Sequence, residues 1–164
     1  KTLKWLLPSS YHITLVPPFY TDHPDSFFKP LSKIASKNSC LSVSFSQICY
    51  LAKSNPKLLW VLGTQSSKLE ILSNSLTKIV MHFAEHSSPY LHDFILHITL
   101  ARTINKKRIE NRSLIIPVHF KEEITSFSLI ESIQTSTGSK YNVIQNFPLR
   151  WNEPIQFKIN DLML

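Results

Sequence analysis

The sequence predicts an α+β fold organised around an internal repeat, and three observations carry that expectation. The tetrapeptide His-Ile-Thr-Leu occurs twice, at residues 12–15 and 97–100, 97 − 12 = 85 residues apart. An aromatic or apolar residue precedes each copy (Tyr11, Leu96), and an apolar residue follows (Val16, Ala101). Segments of period-two alternation are mixed with one long segment of helical spacing. The repeat suggests a duplicated half-domain in which each half gives one strand and one histidine to a shared cleft.

The elements follow in order. Residues 2–7 read as a short strand stopped by Pro8-Ser9-Ser10. Residues 11–16 read as a second strand, ended by Pro17-Pro18 because proline cannot donate to a ladder. A polar loop covers 20–25, and a short helix spans 27–36 with Pro30 in its first turn. Residues 41–46 alternate apolar and polar, as a half-buried strand does. Residues 57–62 give a further strand after the turn signal Ser54-Asn55-Pro56, so these two can pair antiparallel. The clearest helix covers 66–86. Its Leu69, Leu72, Leu76, Ile79, Val80 and Phe83 share one face, and Ser88-Pro89 ends it. Residues 92–101 carry the second motif strand, and the basic stretch 105–112 reads as a short helix. Residues 124–134 and 140–149 form a hairpin around Gly138, where positive φ suits glycine. The tail, residues 153–164, alternates in part and is expected to add a strand. No linker divides the chain, so residues 1–164 read as a single domain.

Composition narrows the function. At 43% hydrophobic and 18% charged, the chain lies in the globular range. Its net charge of +7 favours a polyanionic partner such as RNA or another phosphate ester. Gly63 and Gly138 are the only glycines, which excludes glycine-rich phosphate loops and dinucleotide-binding folds. Cys40 and Cys49 fit neither a C-x-x-C pair nor a zinc knuckle, and read as reduced thiols of a cytoplasmic protein. Apolar stretches such as 58–62 are too short to span a bilayer, and no secretory signal is visible. No membrane partner is expected.

The motif itself carries the chemistry. Side chains at i and i+2 of a strand share a face, so His12 pairs with Thr14 and His97 with Thr99. Ile13, Leu15, Ile98 and Leu100 turn to the core. Two such strands, face to face, would flank a small anion with two imidazoles and two hydroxyls. One neutral histidine can take a proton while the other, protonated, gives one. The threonines can donate to the non-bridging oxygens of a phosphodiester, whose charge grows in the transition state. This needs no metal or other cofactor.

Other signals are weaker. His82-Phe83-Ala84-Glu85-His86 matches H-x-x-E-H, in which His82 and His86 share a helix face and could hold zinc. No third ligand stands out, and a solvated helix end is the expected reading. His23, His92 and His119 are isolated. Lys106-Lys107-Arg108 with Arg112 could track an RNA backbone. Trp5 and Trp60 read as core residues.

The paired motifs resemble the 2H phosphoesterase superfamily, and within it the RNA 2′,3′-cyclic phosphodiesterases, also called 2′-5′ RNA ligases. Trp5 and Pro8, the run HITLVPPF at residues 12–19, and HITLAR ending in Arg102 carry the likeness. So does the hairpin with Ser132, Gly138, Tyr141 and Phe147-Pro148-Leu149. The resemblance covers residues 3–150. It implies a bilobal α+β fold, a duplicated pair of antiparallel sheets flanking a central cleft with outer helices. It implies a monomer that opens 2′,3′-cyclic phosphate ends of RNA or an oligonucleotide to 2′-phosphomonoesters, with reversible 2′-5′ ligation as a further activity. His97 would be the base toward water and His12 the acid toward the 3′ oxygen. Arg102 would contact phosphate, Phe19 would stack on a base, and Tyr141 would bind substrate. The chain departs from the family in lacking its opening strand and helix: either the N-terminus is truncated, or the tail, residues 153–164, fills the vacant sheet position. A second reading keeps the same cleft as a non-catalytic RNA- or phosphate-binding module.

Overall fold

The computed structural model describes residues 3–50, 58–84, 94–103, 115–136 and 138–151. Seven strands and two α-helices lie in these segments: β1 (Leu3–Trp5), α1 (Phe28–Lys37), β2 (Leu41–Tyr50), β3 (Leu58–Gly63), α2 (Ser67–Phe83), β4 (His97–Thr103), β5 (Ile115–Ile124), β6 (Ser126–Thr135) and β7 (Gly138–Pro148). Five strands form one sheet in the order β1-β4-β3-β2-β5, and β6 and β7 form a two-stranded ribbon. Every pairing between these strands is antiparallel. This is the α+β class with two antiparallel sheets that the sequence predicts.

The helices form where the apolar spacing demands them. On α2, Leu69, Leu72, Leu76 and Val80 are buried, a 3.6-residue stripe. The Ser66 hydroxyl caps its first turn by accepting from the Leu69 amide at 3.4 Å. α1 buries Leu31 and Ala35, and Pro30 stands in its first turn, where its missing N–H costs nothing. Both helices pack on one core with Val43, Phe45 and Val61 of the large sheet and Phe127 and Phe147 of the ribbon. Each large apolar side chain buried there contributes about 1.5–3 kcal/mol before entropy is counted. The core therefore spans both sheets and fixes the ribbon beside the large one.

Several expectations change. Residues 11–16 join no ladder among the described strands. Their apolar alternation reflects packing of Ile13, Leu15 and Val16 against the core instead of strand pairing. A short 3-10 turn, Pro24–Phe27, leads into α1 where a loop is expected, and it seats the fully buried Phe27. β5 stands where no strand is expected, because Pro117 masks it. β5 is a sheet edge, the one setting where a strand tolerates proline. Trp5 is 60% exposed and not a core residue, because β1 is the opposite edge. The hairpin matches, with Gly138 at φ 137°. The expected helix at 105–112, the tail strand at 153–164 and His92 lie outside the described residues. No described helix is long and apolar enough to cross a membrane.

Candidate active site

The two motif histidines are held alike and surrounded differently. His12 Nδ1 lies 2.8 Å from the Ser10 carbonyl, and His97 Nδ1 lies 2.8 Å from the Ile95 carbonyl, two residues back in each case. A carbonyl oxygen only accepts, so Nδ1 is the nitrogen that carries hydrogen in both rings. Nε2 is left for proton exchange on both sides.

His97 opens β4 and is hydrogen-bonded into the sheet through its neighbours. The pairs Leu62↔His97, Val61↔Ile98 and Trp60↔Thr99 set its register on β3. The Gly63 amide donates to the Leu96 carbonyl at 2.8 Å. Glycine is required there by contact: a Cβ at Gly63 would stand 2.3 Å from Leu96 Cδ2. The Trp60 indole lies flat on the His97 ring, centroid to centroid 3.6 Å and 20° from parallel. His97 is half-buried. Burial pulls its imidazole below the ordinary histidine range, the hydrogen bond to Ile95 opposes that pull, and the charge of His12 adds to it. The last influence places the two imidazoles within electrostatic reach of each other.

His12 is exposed on a segment without strand partners. Two contacts position it. The Tyr141 ring of β7 meets the imidazole edge-on, centroids 4.9 Å apart and planes at 68°. Farther along, buried Ser73 of α2 donates its hydroxyl to the Leu15 carbonyl at 2.5 Å. His12 thus lies beside the ribbon and His97 on the large sheet. Thr14 and Thr99 are both half-buried, and neither hydroxyl has a hydrogen-bond partner among the described residues.

Arg102 reaches the histidine face through a bulge. It lies five positions after His97, so simple alternation would turn it away. Between Trp60↔Thr99 and Leu59↔Ala101, however, β4 advances two residues while β3 advances one. The extra residue, Leu100, resets the alternation. Arg102 then pairs with Leu58, on the same side of β3 as Trp60 and hence of Thr99. It is exposed, and Lys4 of β1 stands opposite it. Phe19 is half-buried against Phe27, centroids 5.2 Å apart, and packs on the core cluster. The structure thus brings His12, His97 and Tyr141 together, aligns Thr99 and Arg102 with His97, and seats Phe19 at the core.

Comparison with solved structures gives the architecture a name. A crystal structure of TT0787 of Thermus thermophilus superposes with a TM-score of 0.74 at 18% identity, over 93% of this chain and 85% of that one. This chain shares its fold with that structure and with E. coli LigT. E. coli LigT complexed with NADP+ matches with a TM-score of 0.67 at 17% identity, over 90% of this chain and 80% of LigT. LigT complexed with 3′-AMP matches at 0.60 and 20% identity, over 89% and 80%. A structure described as a phosphoesterase matches at 0.65 and 18%, over 90% and 81%. No family model matches the sequence, and no curated protein does. The likeness to these proteins therefore rests on three-dimensional form.

Two side chains of this fold escape sequence reasoning. Trp60 reads as core, and it is buried, yet its face lies on His97. Ser73 is one polar residue in an apolar helix stripe, the signal that could have singled it out. The zinc reading finds little support. His82 is exposed beside Phe83 at the end of α2, and His86 lies outside the described residues. Lys29, Lys33 and Lys37 share a groove of about 540 Å³ with His82, and their charge opposes a divalent cation. Among the described residues no group of three or more His, Cys, Asp or Glu could hold a metal.

Proposed function

We propose that this chain is a phosphodiesterase that opens 2′,3′-cyclic phosphate ends of RNA or oligonucleotides by acid/base catalysis between His97 and His12. The observation that carries the reading is the paired geometry. Both imidazoles present Nε2 from the same Nδ1 lock, and the charge of His12 reaches His97.

Burial and the neighbouring charge favour neutral His97, which makes it the base. Its Nε2 takes a proton from a water molecule as the water oxygen bonds to phosphorus. The bond from phosphorus to the 3′ oxygen breaks. His12, as imidazolium, gives its Nε2 proton to that oxygen. The products are a 2′-phosphomonoester and a 3′ hydroxyl. Thr14 and Thr99 donate hydrogen bonds to the non-bridging oxygens as their charge rises. Arg102, on the same face as Thr99, holds the phosphate from the strand side. The same steps with a 5′ hydroxyl in place of water would form a 2′-5′ linkage, and their reversal would cleave it.

The test is hydrolysis of an oligonucleotide with a 2′,3′-cyclic phosphate end, its product identified as the 2′- or 3′-monoester, with EDTA present. The 2′ product is expected. His97→Ala and His12→Ala should each lower kcat/KM about 10²–10⁴-fold while the protein stays folded. Full activity in either variant, or a 3′ product, refutes the mechanism. RNA binding that weakens with salt, without any turnover, would favour the non-catalytic module instead.

A further inference from the structure

We propose that Trp60 is the positioning residue of the base: its indole face fixes the plane of the His97 imidazole, directs Nε2 into the cleft, and stabilises the imidazolium formed when Nε2 takes a proton. The proposal rests on the two-histidine reading above and adds to it a residue outside both motifs.

Three independent features point to Trp60. The first is the stack. Two neutral rings avoid a near-parallel, face-to-face arrangement because their quadrupoles repel, and they prefer offset or edge-on packing. The Trp60–His97 pair is near-parallel at 3.6 Å. A cationic ring reverses the preference, because the negative indole face attracts it. The contact therefore suits the charged state of His97 better than the neutral one, and only interactions stronger in the transition state speed the reaction.

The second feature is register. Trp60 lies opposite Thr99 and diagonal to His97 on one face of the β3–β4 pair, where cross-strand side chains meet. The bulge at Leu100 begins immediately beyond Thr99, so the alternation that carries Trp60, Thr99 and His97 on one side is unbroken up to that point.

The third is a cost. Trp60 is only 7% exposed, and its buried Nε1 has no hydrogen-bond partner among the described residues. A buried donor without a partner is unfavourable, and phenylalanine or leucine would fill the space without one. The indole is the poor choice for packing alone and the best ring for facing a cation.

The resting and charged states of His97 then have separate supports. Burial and the charge of His12 keep the imidazole neutral before the reaction. Among the described residues His12 is the titratable group whose charge reaches His97, and no carboxylate does so. The indole face supplies the stabilisation that a carboxylate supplies to histidine bases elsewhere. Against His12 the Tyr141 ring is T-shaped, planes at 68°, and not stacked as Trp60 is on His97.

The experiment compares the full chain with Trp60→Phe and Trp60→Leu. Hydrolysis of a 2′,3′-cyclic oligonucleotide is followed across pH, and the His97 ring is titrated directly by NMR. Trp60→Leu should lower kcat about tenfold with KM within twofold, the loss expected for one cation–π contact. Trp60→Phe keeps burial with a weaker face. It should recover most of kcat and move the His97 titration, with the acidic limb of the rate profile, to lower pH. An unchanged titration in Trp60→Phe overturns the proposal, as does an unchanged kcat in folded Trp60→Leu. Should Trp60→Leu fail to fold, the phenylalanine variant decides. If the parent chain hydrolyses nothing, the catalytic reading falls, while the NMR titration still decides whether the indole governs the charge on His97.

Discussion

The same four residues, His-Ile-Thr-Leu, stand in two different settings. Around His97 the motif is a strand laddered to β3, with an indole against the imidazole. Around His12 it is a segment without a ladder among the described strands, held by one helix hydroxyl and a tyrosine ring T-shaped to the imidazole. What the tetrapeptide dictates locally is the same in both: the bond from Nδ1 to the carbonyl two residues back, at 2.8 Å. What differs is imposed by the surroundings. Half-burial leaves His97 with a depressed proton affinity, while His12 is open to water. Identical sequence gives both rings the same tautomer, and unequal packing gives them different surroundings.

Removing the hydroxyls probes whether the two settings are equivalent in charge stabilisation. Thr99→Val and Thr14→Val should each lower kcat by up to about 10²-fold with little change in melting temperature, the loss typical of one donor to a developing oxyanion. If only one variant loses activity, the phosphate leans on a single motif.

Loosening each support compares the ladder with the tether. Gly63→Ala forces a methyl against Leu96 and displaces the start of β4. It should cost about 1–3 kcal/mol, as overpacking does, and lower activity through His97. Ser73→Ala removes the bond to the Leu15 carbonyl and should cost about 1 kcal/mol, with a milder loss of activity through His12. Thermal melting and kcat/KM on both variants read the two effects. A larger loss of activity in Ser73→Ala would make the tether the more demanding support.

The smallest effect is on stability against pH. The folded chain holds the proton affinity of His97 below that of the unfolded chain, near 6.5. The unfolded state thus binds more protons once pH falls below that value. The His97 contribution is complete above about pH 6.5 and is lost as pH falls toward its lower, folded value. His97→Gln should flatten the melting temperature between pH 7 and 5, and an unchanged slope would show that the burial of His97 does not govern it.

Much of this is legible in the sequence where the cause is local. The stripe of Leu69, Leu72, Leu76 and Val80 forms a helix, and the alternation of residues 41–46 forms β2. Gly138 marks the hairpin because its backbone conformation suits glycine alone. The misses have non-local causes. Residues 11–16 alternate like a strand, but a ladder needs a partner, and no short-range pattern says whether one arrives. Pro117 hides β5 because its tolerance depends on an edge position fixed by the rest of the sheet. The stack of Trp60 on His97 is a matter of register between segments nearly forty residues apart (97 − 60 = 37).

Leu100 has a consequence of its own. By adding one residue to β4 between Thr99 and Ala101, it puts Arg102 on the face of the imidazole. Shortening the strand there by a single position would swing Arg102 to the reverse side of the sheet and leave the proton-transferring pair where it is. On the proposed mechanism, anion affinity and proton chemistry would thereby be separately adjustable on one short strand, the first by changing its length and the second by changing its neighbours.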